Sequence, residues 1–271
     1  MKILRQFLDE SRLLTVLYDG LSPEITGSVL YGQVEDYLEK YMAFNNISTE
    51  KCIENYINYA RKYISHCKQF IKSGKYPAEL QTDKFSVSRE EYDVVLILMI
   101  LFTPHRFRIM QLLVEHQLPA EKALYIGLGS GLEIELTRNF TKEIHAYDLT
   151  LNKFLFTHFP GIRLNAELYT GQYLDYFDEI YMIELLEHVP DPYELLDTCY
   201  LSMKKGGRVL LTTATDIPQF DHLYNFKDDH SEFEEKLNRS GFSVSYKEKI
   251  PHQYLSMELQ PCNHFYIIEK F

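Results

Sequence analysis

The chain has 271 residues, 45% hydrophobic and 14% aromatic, which suits one large or two modest globular domains. Its net charge of −11 argues against a nucleic-acid partner gripped through broad phosphate contacts, since these need clustered Lys and Arg. The cysteines lie far apart, so neither a zinc cluster nor a disulfide scaffold is expected. The N-terminal stretch is too polar for a secretory signal, and the longest apolar run, 94–102, is too short to cross a bilayer. We therefore expect a soluble, cytoplasmic protein with no membrane partner.

The first part of the chain is predicted to be helical. Between residues 48 and 74, apolar side chains recur at intervals of three and four, which predicts a long helix that begins after Ser48 and ends at Gly74. Ser88 and Glu91 form a capping-box pattern ahead of the apolar run. These patterns predict an N-terminal helical domain over residues 1–118.

The second part of the chain, residues 119–271, shows a different pattern. Short apolar runs alternate with helical segments, which indicates βαβ units and a mainly parallel sheet. The last two runs, near residues 242–250 and 264–271, are joined by a loop rather than a helix. They are predicted to close the sheet as an antiparallel pair, so the fold class is α/β.

A glycine loop follows the first predicted strand, in the stretch ALYIGLGSGLE. Gly127, Gly129 and Gly131 would let the backbone turn sharply and approach a ligand closely. Asp148 stands 21 residues after Gly127 at the end of the next strand, where a carboxylate can accept hydrogen bonds from a ribose diol. A dinucleotide fingerprint would need glycine at Leu132, which argues against a nicotinamide cofactor.

The G-x-G-x-G spacing resembles the first motif of class I S-adenosylmethionine-dependent methyltransferases. The resemblance continues for about 120 residues, through FD at 177–178, LEHV at 186–189 and K-x-G-G at 204–207. It implies a Rossmann-like seven-stranded sheet that binds S-adenosyl-L-methionine. The cofactor contacts that it implies are Gly127, Gly129 and Gly131 near the methionine portion, Asp148 at the ribose and Leu149 at the adenine, together with Ile126 and Glu184.

One position departs from this family's pattern. Tyr125 stands where the family usually carries an acid, two residues before the first glycine. Two alternatives to methyl transfer stay open, and the missing acid bears on the second of them. One is transfer of the aminoalkyl group of the same cofactor, and the other is a cofactor-binding scaffold without catalytic activity.

The stretch ELLEHVPDP follows the fourth predicted strand. Pro190 disfavours helical backbone at the residue before it, so residues 184–189 are predicted to form about one helical turn. In such a turn Glu184, Glu187 and His188 would share one face. Asp191 and the residues after it are predicted to cap the next helix.

The E-x-x-E-H part of this stretch resembles the metal-binding signature of ubiquinone-pathway O-methyltransferases and of small-RNA 2′-O-methyltransferases. His222 stands where the RNA enzymes carry a further histidine. The resemblance implies a Mg, Mn or Fe site formed by Glu184, Glu187, His188 and His222. In the metal-free alternative, Glu184 or His188 serves as the general base.

The acceptor pocket is expected to include residues just before the first strand, where the family's N-terminal helices often cover the cofactor. His105 and Arg106 are predicted to lie near the substrate. The alternative is that Arg106 is solvated and His105 caps a helix. The acceptor is expected to be a small molecule or a peptide, with O-methylation slightly favoured because of the E-x-x-E-H resemblance.

Overall fold

The computed structural model describes residues 2–77, 87–226, 230–252 and 259–271. The helices before the sheet are α1 (Lys2–Glu10), α2 (Arg12–Asp19), α3 (Pro23–Thr26), α4 (Val29–Asn45), α5 (Thr49–Ser73), α6 (Arg89–Phe102) and α7 (Pro104–Glu115). They are followed by β1 (Ala120–Ile126), α8 (Leu132–Thr137), β2 (Thr141–Tyr147), α9 (Lys153–His158), β3 (Arg163–Asn165), β4 (Phe177–Met182), α10 (Pro192–Ser202), β5 (Met203–Thr215), α11 (Ser231–Arg239), β6 (Phe242–Pro251) and β7 (Cys262–Lys270).

Two of the N-terminal helices agree with the boundaries that the sequence predicts: α5 begins and ends there, and α6 begins there. The Ser48 hydroxyl accepts the Lys51 N–H at the start of α5, and Gly74 ends that helix with a left-handed φ of 67°. The Ser88 hydroxyl caps α6 in the same way. Among the described residues, no helix is both long enough and apolar enough to cross a membrane.

The seven strands form one sheet in the order β3-β2-β1-β4-β5-β7-β6. Strands β1 to β5 pair in parallel, and β7 lies antiparallel between β5 and β6. The predicted α/β class and the antiparallel closing pair are therefore confirmed. Because parallel strands end at the same edge, the loops that follow β1, β2 and β4 meet there.

Alternate residues of β1 enter different hydrophobic cores, as the two-residue period of a strand requires. Tyr125 of β1 packs in the core that also holds side chains of α4, α6 and α7. Its neighbour Leu124 packs on the other face, against α10 and α11. The N-terminal helices thus cover one face of the sheet directly, and the domain boundary at residue 118 stays a prediction.

Candidate active site

A cavity of about 850 Å³ opens where β1, β2 and β4 end, a volume that suits a small-molecule ligand. The glycine loop and the end of β2 form one wall, the turn after β4 forms another, and α6 and α7 cover the third side. The predicted site residues that line it are Arg106, Ile126, Gly127, Gly129, Asp148, Leu149, Glu184 and His188.

The glycine loop has the backbone that its sequence predicts. Gly127, Gly129 and Gly131 have φ values of 74°, 55° and 80°, a region that favours glycine. Gly131 does not appear among the cavity-lining residues. A Cβ at that position would lie 2.5 Å from Cδ2 of Leu155. Gly131 is therefore needed for packing, whereas Gly127 and Gly129 bring backbone to the cavity surface.

Asp148 is fixed at the cavity wall by three donors. Its Oδ1 accepts the Thr150 N–H at 2.9 Å, and its Oδ2 accepts the Gly129 N–H at 2.9 Å. Arg89 reaches the same Oδ2 with a guanidinium nitrogen at 3.5 Å. A carboxylate has about four lone-pair sites, so Asp148 retains acceptor capacity for a ligand hydroxyl. The adjacent Leu149 is exposed and offers an apolar surface beside it.

The side chain of Tyr125 points into the protein core rather than into the cavity. Its ring stacks on Tyr181 at 4.4 Å, and its hydroxyl hydrogen-bonds Thr137 at 2.6 Å. The cavity instead contains another acid, Glu133 of α8, which the sequence analysis did not single out. Burial, reinforced by neighbouring carboxylates, raises the pKa of Glu133 to about 7.

The backbone at Glu184 differs from the predicted helical turn. Glu184 has a left-handed φ of 53°, and only residues 186–188 form a short 3-10 turn. The Glu184 N–H donates to Oγ1 of Thr212 at 2.7 Å, and the same hydroxyl donates back to Oε1 of Glu184 at 2.9 Å. Asn263 donates to this Oε1 at 2.7 Å, and Arg106 forms an ion pair with Oε2.

The prediction that Glu184 shares a helical face with Glu187 and His188 is therefore wrong. The left-handed backbone turns the chain before the 3-10 turn begins, and partners from β5, β7 and α7 hold the Glu184 carboxylate. Local spacing cannot reveal partners so distant in sequence.

Arg106 and His105 have different environments at the start of α7. The Arg106 side chain is only 15% exposed and pairs with Glu184, so the alternative of a solvated arginine is wrong. His105 is buried and stacks on His252 with ring centroids 3.7 Å apart. It does not line the cavity and does not cap α7, whose N-cap is Thr103.

His188 lines the cavity, and Asp221 orients its imidazole ring. Its Nδ1 lies 3.1 Å from the Asp221 carbonyl oxygen and 3.7 Å from the Asp221 carboxylate. With Nδ1 donating to that carbonyl, Nε2 of the neutral ring is left as an acceptor. Burial alone would lower the pKa of His188, but Asp221 and Glu187 outweigh it and raise that pKa.

Three of the four predicted metal ligands lie together. Ligand atoms of Glu187, His188 and His222 all lie within 4.8 Å of one another. In the described part of the chain, Oε2 of the buried Glu187 has no hydrogen-bond partner. Burial and the charge of Glu184 raise the pKa of Glu187 to about 7. A buried, unpartnered carboxylate oxygen beside two imidazoles fits a divalent cation, whereas Glu184 stands outside this group.

The family model of the methyltransferase domain matches residues 103–253, which is more than half of the chain. The chain belongs to the class I S-adenosylmethionine-dependent methyltransferase family. The matched range contains every strand up to β6 and every predicted site residue. It also includes α7, which the sequence analysis had placed in the preceding helical domain.

Similar proteins agree with this family. The ubiquinone biosynthesis O-methyltransferase of Shewanella sp. (strain ANA-3) is 28% identical over 102 residues, 34% of this chain and 43% of that protein. The enzyme of the same description from Pseudomonas putida (strain W619) is 37% identical over 57 residues, 21% of this chain and 25% of that protein. This chain therefore matches less than half the length of these curated relatives.

A solved structure shows the shared fold. The N-methyltransferase NodS from Bradyrhizobium japonicum WM9, in complex with S-adenosyl-L-homocysteine, superposes with a TM-score of 0.50 at 16% identity. The match covers 63% of this chain and 90% of that one. At this identity the likeness concerns the fold alone.

Several residues at this methyltransferase site were missed by the sequence analysis. Arg89, Thr212, Asp221 and Asn263 each contact a predicted site residue through a side chain or a carbonyl. Only Asp221 carried a usable signal, because it directly precedes the predicted ligand His222. The other three come from α6, β5 and β7, and only the folded chain brings them into contact with Asp148 or Glu184.

Proposed function

We propose that this protein transfers a methyl group from S-adenosylmethionine to a small-molecule or peptide acceptor, with an oxygen atom as the preferred acceptor. The observation that carries the proposal is that one cavity brings together two sets of predicted site residues. It holds the glycine loop and Asp148 on one wall and Glu184 and His188 on another. The O-methyltransferase relatives support oxygen over nitrogen.

Each wall of the cavity has a distinct task in this proposal. Asp148 accepts the ribose hydroxyls, Leu149 contacts the adenine, and Gly127 and Gly129 let the ligand approach the backbone closely. S-adenosylmethionine supplies a methyl group that is already activated as a sulfonium, so positioning carries much of the catalysis. His188 accepts the acceptor's proton at Nε2.

The side of the cavity formed by α6 and α7 would hold the body of the acceptor. It presents apolar side chains, among them Leu96, Met99 and Ile109. Arg106 stands on the same side, but its charge is paired with Glu184. The pocket therefore suits an acceptor with an apolar portion that places its hydroxyl near His188.

Ligand binding tests the cofactor wall, by which we mean the wall formed by the glycine loop and Asp148. We expect calorimetry to show one S-adenosylhomocysteine bound per chain, and Asp148→Ala to weaken binding about 10- to 100-fold, because it removes a charged hydrogen-bond acceptor. The matched control is Asp175→Ala, since Asp175 is exposed and pairs with Lys270 away from the cavity. Unchanged affinity in Asp148→Ala would contradict the assigned ribose contact.

Product mass separates the reaction classes. A gain of one methyl group on the acceptor supports the proposal. A gain of an aminoalkyl group would instead support the alternative transfer. A protein that binds S-adenosylhomocysteine yet modifies no acceptor in a broad panel would favour the scaffold alternative.

As an alternative to the general-base role of His188, we propose that Glu187, His188 and His222 hold a divalent ion of the Mg, Mn or Fe class, in which case His188 would be a ligand and not the base. The buried, unpartnered Oε2 of Glu187 supports this alternative. A bound cation would supply charge that lowers the pKa of an acceptor hydroxyl.

Metal removal and readdition test this site. After chelation, we expect the protein to bind one Mn²⁺ per chain in a calorimetric titration, and Glu187→Gln to bind at least about tenfold more weakly. The exposed Glu39→Gln serves as the charge-matched control. Equal Mn²⁺ binding by both variants, or none by the wild type, would favour the metal-free alternative.

A further inference from the structure

Arg89 connects the N-terminal helices to the cofactor wall. It is the first residue of α6, its side chain is 26% exposed, and it lines the cavity. Its Nε donates to Oδ1 of Asp93 at 2.9 Å, and another nitrogen of the same guanidinium lies 3.5 Å from Oδ2 of Asp148. One arginine thus touches a fully buried carboxylate and the proposed ribose acceptor at once.

Asp93, the buried carboxylate that Arg89 contacts, has two further hydrogen-bond partners. Oδ2 of Asp93 accepts the Tyr41 hydroxyl at 2.6 Å and Nδ2 of Asn152 at 2.9 Å. Asn152 in turn caps α9 by accepting the Leu155 N–H at 3.1 Å. Asp93 of α6 is thus hydrogen-bonded by Tyr41 of α4 and by Asn152 at the start of α9. The carboxylate that holds the Arg89 guanidinium is therefore itself held by both the helical and the sheet parts of the protein.

The guanidinium of Arg89 contacts its two carboxylates unequally. The guanidinium is divided between two carboxylates, with the closer contact to Asp93, so Asp148 keeps acceptor sites for a ligand. The distances agree with this division, since the contact to Asp93 is a direct hydrogen bond and the contact to Asp148 is longer.

We infer that Arg89 is a positioning residue that holds the Asp148 carboxylate in the orientation needed to bind the two ribose hydroxyls of the cofactor. The inference rests on the proposed function, because it assigns Asp148 to the ribose. It adds that the N-terminal helices contribute to cofactor recognition through Arg89, Asp93 and Tyr41.

The test compares two ligands that differ only at the ribose. S-adenosylhomocysteine and its 2′,3′-dideoxyribose analogue are titrated into the wild type and into Arg89→Met. We expect Arg89→Met to weaken S-adenosylhomocysteine binding about tenfold and to change binding of the dideoxy analogue by less than about twofold. An arginine with a merely structural role would weaken both ligands equally.

Two further variants keep the test interpretable. Arg163→Met removes the same charge from an arginine that is 60% exposed on β3, and should leave both affinities unchanged. Arg89→Lys keeps the charge but loses the planar fork of the guanidinium. Its loss of affinity should therefore be intermediate and again confined to S-adenosylhomocysteine. It also replaces Arg89→Met if that variant does not fold.

The outcomes separate this inference from the function on which it rests. A wild type that binds neither ligand overturns both. A wild type that binds S-adenosylhomocysteine, together with Arg89 variants that lose both ligands equally or lose neither, overturns only the role of Arg89.

Discussion

His188→Gln is expected to lower kcat at least about a hundredfold, while S-adenosylhomocysteine binding stays within about twofold of the wild type. The reason is the geometry of the imidazole. Its Nδ1 contacts the Asp221 carbonyl, so Nε2 is the atom available to accept the acceptor's proton. Glutamine retains polarity but supplies no group that titrates near neutral pH.

The pH dependence of the same reaction gives an independent measurement. The pKa of His188 is raised above its ordinary value of 6.5 by Asp221 and Glu187 against the effect of burial. A base works only when deprotonated, so activity should be full above this raised pKa and be lost as pH falls through it. Asp221→Asn should move the acidic limb of the kcat profile to lower pH.

Controls for the His188 prediction lie elsewhere in the chain. His116 is half-buried beside Tyr246, outside the cavity, so His116→Gln should keep wild-type kcat and its pH profile. Full activity in His188→Gln would show that another group accepts the proton, and Glu184 is the other proposed base that lines the cavity.

Gly131→Ala is expected to reduce the free energy of unfolding by about 2–5 kcal/mol. Two costs add at this position. A φ of 80° strains any residue that has a Cβ, and the new methyl group would lie 2.5 Å from Leu155 and 3.0 Å from Phe159. Urea denaturation followed by circular dichroism measures the change.

Gly129 offers the matched control for Gly131. Its φ is 55°, yet a Cβ there would meet nothing within 4 Å. Gly129→Ala should therefore show only the strain cost of about 1–2 kcal/mol. Equal losses in the two variants would mean that the packing of Gly131 against α9 contributes nothing to stability.

Local sequence signals predicted much of this fold because they act over a few residues. Ser48 and Gly74 mark the ends of α5 through hydrogen bonds and backbone preferences that lie within one turn. The glycine loop and Asp148 were found because a strand, a turn and an acid recur at a fixed spacing. The structure shows that Gly129 and Asp148 are hydrogen-bonded to each other.

The backbone of the turn after β4 could not be predicted from such local signals. Residues 184–189 have the composition of a helical turn, but Glu184 adopts a left-handed backbone. Its partner Asn263 lies 79 residues further along the chain. Likewise, Ser88 identified the start of α6 but gave no sign that the next residue, Arg89, would reach Asp148. Contacts of this kind depend on packing between distant segments, which no short pattern records.

The position of β7 has a consequence for how the protein is made. The strand follows β6 in the chain but lies between β5 and β6, so the edge of β5 is covered only after β7 has been synthesised. Until then, β5 has an open edge and Glu184 lacks the Asn263 amide that orients it. A nascent chain can therefore form the glycine loop before β7 exists, but the Glu184 carboxylate acquires all of its partners only when β7 pairs with β5.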